Sequence, residues 1–382
     1  MKRIYLDYAA TTPVAPEVLE AMKPYFSEKY GNASSLHAFG QEARKALEDA
    51  RKKIANFINA RPAEIIFTSG GTESNNLAIK GIAFANKEKG KHIITSKIEH
   101  HAVLEPCKWL EKQGFKVTYL PVNNEGIVNP EDVEKAITKE TILVSIMHAN
   151  NEIGTIQPIE EIGKICRKHK VYFHTDAVQS FGKLEIDVKK MNIDLLSASA
   201  HKIYGPKGVG LLYVNRDVKI EPIQHGGGHE TGLRSGTENV AGIVGFAKAV
   251  ELVQKLGKKE QEREKKLRDK IIDKLLEIKG TKLNGSRTKR LFNNVNVSFK
   301  GIEGEALLIR LDQEGFAVST GSACSSKSLE PSHVLTALGL KPEEAHGSLR
   351  ITIGRYTTEQ DVDMLLKVLP KIVNSLRKIS PF

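Results

Sequence analysis

Only three of the 382 residues are cysteine and one is tryptophan. Cys107, Cys166 and Cys324 show no close pairing along the chain, so neither a disulfide framework nor a four-cysteine zinc site is expected. Nowhere do roughly 18 apolar residues run together, which argues against a transmembrane helix. Residues 1–10 hold no charged segment followed by a long apolar core, so no signal peptide is expected and the cytoplasm is the default location. No internal repeat or low-complexity tract stands out. Acidic residues are the minority, 46 against 57 Lys and Arg, for a formal charge of +11. Such an excess attracts anionic ligands or acidic protein partners. The basic residues are dispersed and no nucleic-acid motif accompanies them, so direct nucleic-acid binding is not expected.

The chain is long enough for a large core and two domains. Along residues 65–214, apolar runs alternate with turn residues and helical patterns, the signature of a doubly wound α/β sheet covered by helices. Strands are expected near 65–68, 93–96, 117–120, 142–147, 171–175, 195–199 and 209–214. A charged helical stretch from Glu251 to Gly280 carries the chain onward, its charge run reading as a solvated face. Beyond it, 294–299, 315–319 and 349–353 read as strands of a smaller α+β domain closed by a helix from Thr358 to Lys378, with the N-terminal segment packed on it. The division expected is a large domain at 15–255 and a small one made of 1–14 and 256–382.

Lys202 follows a strand-like run and His201, ahead of Gly205-Pro206-Lys207-Gly208. A lysine amine attacks carbonyls only where its surroundings favour the neutral form, which the end of a buried strand can supply; a solvated loop lysine is the plainer alternative. Asp176 ends another strand-like run, at the edge where open α/β sheets bind ligands, and could equally cap the next helix. In Thr68-Ser69-Gly70-Gly71-Thr72, paired glycines before a helical pattern suit an anion, although many such turns are only turns. Ser199 and His201 are further donors to a phosphate, and His100 could lie over a flat ring or be a structural histidine. As a set these residues suit pyridoxal phosphate, whose ring nitrogen needs an acid and whose aldehyde needs a lysine. Arg350 fits as the anchor of an amino-acid carboxylate, since a guanidinium grips one bidentately. Arg355 ranks second, because such arginines often make only structural ion pairs. Residues 225–230, His-Gly-Gly-Gly-His-Glu, read as a mobile loop at the site and at a dimer interface, or as an ordinary glycine turn.

From Tyr5-Leu6-Asp7-Tyr8-Ala9-Ala10-Thr11-Thr12-Pro13 to Leu349-Arg350-Ile351-Thr352-Ile353-Gly354-Arg355, nearly the whole chain resembles cysteine desulfurases of the NifS/IscS type, in the class-V aminotransferase family of pyridoxal-phosphate fold type I. The resemblance implies a large, mostly parallel mixed sheet with a smaller α+β domain. It makes Lys202 the Schiff-base lysine, Asp176 the partner of the ring nitrogen, Gln179 a donor to the ring hydroxyl and His100 the stacking group. Gly71, Thr72, Ser199 and His201 would hold the phosphate, with Thr237 reaching in from a second subunit of a homodimer. Asn151 would contact cofactor and substrate, and Arg350 the substrate carboxylate. The catalytic set is Lys202, His100 and Cys324.

Cys324 lies in Ser319-Thr-Gly-Ser-Ala-Cys-Ser-Ser-Lys-Ser-Leu, a stretch without helical or strand periodicity that reads as a flexible exposed loop. Cys107 and Cys166 lie in helix-like stretches and read as core or surface thiols. The resemblance implies a persulfide on Cys324, formed from L-cysteine with release of L-alanine. Sulfur would pass to an iron–sulfur scaffold or another acceptor for iron–sulfur cluster assembly or for thiolation of cofactors or tRNA, and Cys324 could ligate a transferred iron–sulfur cluster. Selenocysteine lyase activity, another class-V reaction and a non-catalytic persulfide carrier are the alternatives. Some relatives carry a further C-terminal tail that docks a scaffold, so ending at Phe382 puts the mode of scaffold docking in question.

Overall fold

The computed structural model describes residues 3–321 and 331–379. The first strand, β1 (Ile4–Tyr5), stands apart from the main sheet. That sheet is built of β2 (Ile65–Thr68), β3 (His92–Ser96), β4 (Lys116–Leu120), β5 (Thr141–Ser145), β6 (Tyr172–Asp176), β7 (Leu195–Ser199) and β8 (Gly210–Val214). Its order is β2-β8-β7-β6-β5-β3-β4, and only β8 runs against the rest. Strands β2, β3, β5, β7 and β8 are buried along their whole length, which is why they read as continuous apolar runs rather than alternating ones. One face packs under the helix Ala38–Phe57 through Ala43, Leu47 and Ile54, the other under Gly71–Asn86 and His101–Glu111 through Leu77, Ile82 and Val103.

The remaining strands, β9 (Thr281–Leu283), β10 (Asn294–Phe299), β11 (Phe316–Ala317) and β12 (Ser348–Thr352), belong to a second core. There β12-β10-β9 is antiparallel, and β11 pairs in parallel with β1. Ile4 and Leu6 of the N-terminal segment are buried in this core, beside Val297, Leu349, Ile351 and Leu365. The helix Glu359–Ile379 closes it.

The helix between the two cores differs from the sequence expectation. It runs Val240–Leu276, starting 11 residues earlier than Glu251. Asn239 caps it by accepting the Gly242 N–H at 3.0 Å, and its first turns bury Ile243, Phe246, Ala247 and Val250 against the main sheet. That opening half is apolar and the later half charged, so a reading keyed to the charge run catches only the later part. Strand β11 is also shorter than 315–319, because it has only the two-residue β1 as a ladder partner. Cys107 and Cys166 are both fully buried, in the helices His101–Glu111 and Ile159–His169. Among the described residues no helix is long and apolar enough to cross a membrane.

Candidate active site

Parallel strands leave their C-terminal ends on one edge of a sheet, and ligands of open α/β proteins bind there. Asp176 ends β6, Ser199 ends β7 and leads into the short turn that carries His201 and Lys202, and Thr68 ends β2 ahead of the helix Gly71–Asn86. These ends surround a cavity of about 240 Å³ lined by Gly71, Thr72, His100, Asn151, Asp176, Gln179, Ser199, His201, Lys202 and Arg350, together with Ala9, Ala10, Asn75, Met147 and Val178. Ten of the expected site residues therefore meet around one space. Thr237 does not line it; this residue is exposed, in the segment before the helix Val240–Leu276. Cys324 lies outside the described residues.

The Lys202 amine donates to the carbonyls of Ala9 (2.5 Å) and Ala10 (2.7 Å). Burial, with Lys183 and Arg350 nearby, pulls its pKa down to about 7, against the smaller opposing pull of Asp7 and Asp176. A substantial share of the amine is therefore neutral at pH 7, as a carbonyl nucleophile requires. Gln179 donates to the same Ala9 carbonyl at 2.9 Å, which keeps its amide fixed at the cavity wall.

Asp176 caps the turn that follows it and also lines the cavity. Its Oδ1 accepts the Val178 N–H (2.9 Å), capping the following turn, while Oδ2 accepts from Asn75 Nδ2 (2.7 Å) and the carboxylate faces the cavity. His100 caps the helix His101–Glu111, its Nδ1 accepting the Ala102 N–H at 3.1 Å. Burial lowers its pKa despite Asp176, so the ring is neutral with the proton on Nε2. Burial also pulls His201 down to about 4, helped by Lys202, Lys207 and Lys183; its Nδ1 lies 3.1 Å from Thr11 Oγ1.

Arg350, 1 % exposed, stands on β12 of the second core and reaches the cavity from the opposite side. It donates to Asp7 Oδ1 (2.8 Å) and to the Asn151 carbonyl (3.1 Å), while its buried Nε has no hydrogen-bond partner among the described residues. Arg355 instead grips Glu260 (2.6 Å) and lies over the Tyr204 ring, outside the cavity. The sequence reading missed several residues of the site. Asn75 orients Asp176, and Asp7 pairs with Arg350. Glu99 accepts from Ser96 Oγ (2.6 Å) and the Met147 N–H (3.0 Å), tying the ends of β3 and β5 together beside His100. The one available signal was Asn75 standing one helical turn after Gly71; nothing in the sequence pairs Asp7 with a residue 343 positions away.

Pyridoxal phosphate fits these residues. The cavity brings an amine of lowered pKa, a carboxylate, hydroxyls and a helix N-terminus to one place, and the buried Asn75 Oδ1 has no hydrogen-bond partner among the described residues. At Gly71 a Cβ would meet Val178 Cγ2 at 2.6 Å, so glycine is what lets the helix start pack against Val178 at the cavity wall.

Residues 4–365 match the class-V aminotransferase family. The chain belongs to that family. This class-V protein is an enzyme that depends on pyridoxal phosphate. It is 60 % identical to a protein of Dictyoglomus turgidum named cysteine desulfurase IscS, over 100 % of this chain and 98 % of the relative. A protein of the same name from Methanosarcina thermophila is 58 % identical over 100 % of this chain and 94 % of its own length. Among solved structures, a NifS-like protein superposes with a TM-score of 0.92 at 42 % identity, covering 98 % of this chain and 100 % of its own. SspA in complex with cysteine superposes with a TM-score of 0.83 at 44 % identity, covering 93 % and 99 %.

Proposed function

We infer that the protein is a cysteine desulfurase, which takes the sulfur of L-cysteine, releases L-alanine and holds the sulfur as a persulfide on Cys324. The observation that carries this reading is the meeting of Lys202, Asp176 and Arg350 around one cavity. Relatives of matching length named cysteine desulfurase, and a neighbour bound to cysteine, support it.

Pyridoxal phosphate, when bound, supplies an aldehyde for amines and a ring that draws electrons from the substrate carbon. Asp176, oriented by Asn75 and Val178, holds the proton at the ring nitrogen. His100 would stack on the ring, and Gln179 would offer its second amide hydrogen to the ring hydroxyl. Gly71, Thr72, Ser199 and His201 would hold the phosphate, completed by Thr237 of a second copy in a homodimer. Asn151 and Arg350 would orient the substrate, whose carboxylate would take the Arg350 Nε–H, unpartnered among the described residues, and compete with Asp7. Lys202, which lines the cavity, would take the α-proton and return it.

Both described flanks of the Cys324 segment converge beside this cavity. Gly321 lies against Glu152, Ser332 Oγ donates to Glu152 Oε2 at 2.6 Å, and Ser319 pairs with Arg350 across an isolated bridge. The Cys324 thiolate attacks the substrate sulfur; a sulfur–sulfur bond forms as the carbon–sulfur bond breaks, and the carbon keeps the electron pair and gains a proton. A thiol or an acceptor protein, an iron–sulfur scaffold among them, then removes the outer sulfur, and Cys324 can ligate a transferred iron–sulfur cluster. The reduced cytoplasm suits this thiol chemistry. The large domain spans 15–255 and the small one 1–14 with 256–382.

The test is the carbon product from L-cysteine, with cofactor and a reducing thiol present. Alanine formed in step with sulfide is expected, and Cys324→Ser should keep the cofactor chromophore while losing sulfide release. Pyruvate with ammonia, or undiminished sulfide from Cys324→Ser, would refute the reading.

A further inference from the structure

The helix Gly71–Asn86 starts at the cavity, with Gly71 and Thr72 in its lining. A helix start attracts anions through its free N–H groups and dipole. This one carries an anion of its own in its first turn, Glu73. The Glu73 Oε2 takes the Ser69 N–H at 2.7 Å, a backbone donor of the same turn. Left alone, that carboxylate would oppose a second anion at the helix start. It is met by Arg234, whose Nε lies 3.0 Å from Glu73 Oε1, with the two side chains only 22 % and 17 % exposed. Burial pushes the Glu73 carboxyl up, but the Ser69 hydrogen bonds and Arg234 outweigh it and hold it below the usual carboxylate range. Glu73 is thus neutralised by an ion pair rather than by a proton.

Arg234 arrives from 161 residues away, on a segment that is firmly tied down. Glu230 in that segment is gripped bidentately by Arg51 (2.7 and 2.8 Å) and accepts the Phe67 N–H (2.7 Å) of β2, the strand that feeds the turn. Gln224 holds the Ser235 carbonyl at 2.9 Å, and His229 pairs with Glu238 at 2.9 Å. The segment 225–230, read from sequence as a mobile loop or an ordinary glycine turn, therefore ends in a buried anchor, and that anchor sets the place of Arg234.

We propose that Arg234 is a positioning residue for the cofactor phosphate, which cancels the Glu73 carboxylate so that the turn at 69–72 can receive a dianion. The proposal rests on the reading that places the phosphate at Gly71 and Thr72.

The experiment removes the cofactor from the full-length protein and titrates it, by absorbance, with pyridoxal phosphate and separately with pyridoxal, which lacks the phosphate. Arg234→Met is expected to bind pyridoxal phosphate about tenfold more weakly and pyridoxal unchanged. Glu73→Gln, which keeps an oxygen for the Ser69 N–H, is expected to bind pyridoxal phosphate about threefold more tightly. The double variant should return to within about twofold of the parent. Equal loss of both ligands in Arg234→Met, weaker phosphate binding in Glu73→Gln, or no rescue in the double variant would overturn the proposal. A parent protein that binds neither ligand would overturn the cofactor site itself.

Discussion

Replacing Asn75 by alanine tests how the acid that faces the cofactor is held. Asn75 is 1 % exposed, and its Nδ2 donates to Asp176 Oδ2 at 2.7 Å. Among the described residues the other hydrogen bond to this carboxylate comes from the Val178 N–H, on Oδ1. A hydrogen bond to a charged group contributes about 1.5–3 kcal/mol. If it serves to hold Asp176 toward the ring nitrogen, its loss should lower kcat/KM by roughly ten- to hundredfold, at about 1.4 kcal/mol per decade. Stability should move much less, because Asn75 Oδ1 is already buried without a partner among the described residues, and deleting the side chain also removes that acceptor. Asn75→Asp separates orientation from shape. Two carboxyl groups so close cannot both ionise, so the new one keeps a proton at low pH and can still donate. Its activity should therefore fall as pH rises through the raised pKa of the pair. Steady-state desulfuration across pH and a thermal unfolding midpoint make the measurement. An Asn75→Ala enzyme within twofold of the parent would refute the positioning role, and so would a loss of activity matched by a collapse in stability.

Other perturbations follow the same logic. In the cofactor-free protein, Lys202 should react with an amine-modifying reagent with a midpoint near pH 7, since burial lowers its pKa to about 7; a midpoint near that of ordinary lysines would contradict the buried-amine geometry. Gly71→Ala places a Cβ 2.6 Å from Val178 Cγ2 and should weaken pyridoxal phosphate binding at least tenfold, measured by titration, whereas unchanged binding would mean the helix start is not the phosphate site. Arg51→Met strands the Glu230 carboxylate, only 2 % exposed, and should cost about 3–5 kcal/mol in denaturant unfolding; a change under about 1 kcal/mol would show that the pair does not hold the segment.

Part of the candidate site was legible because Asp176, Lys202, His100 and Gly71 sit at the end of a strand or at the start of a helix, and both ends carry sequence signals, whereas Arg350 stands inside β12. Asp176 and Lys202 follow apolar runs that proved to be β6 and β7, and the glycines at 70 and 71 mark the turn after β2. Boundaries were less legible where composition changed inside one element, as in the helix Val240–Leu276, apolar in its first half and charged in its second. Short ladders such as β1 with β11 carry too few residues for alternation to show.

The amino-acid order by itself determined which residue types stand at which element ends, since strand and helix periods and glycine turns are local properties of the chain. Only the tertiary structure decided who faces whom. Arg350 meets Asp7, Asn75 meets Asp176, and Arg234 meets Glu73 across 343, 101 and 161 residues. Those pairings arise because the main sheet brings its strand ends to one edge, the second core sets β12 against that edge, and buried charges and amides must find partners wherever the packing leaves them.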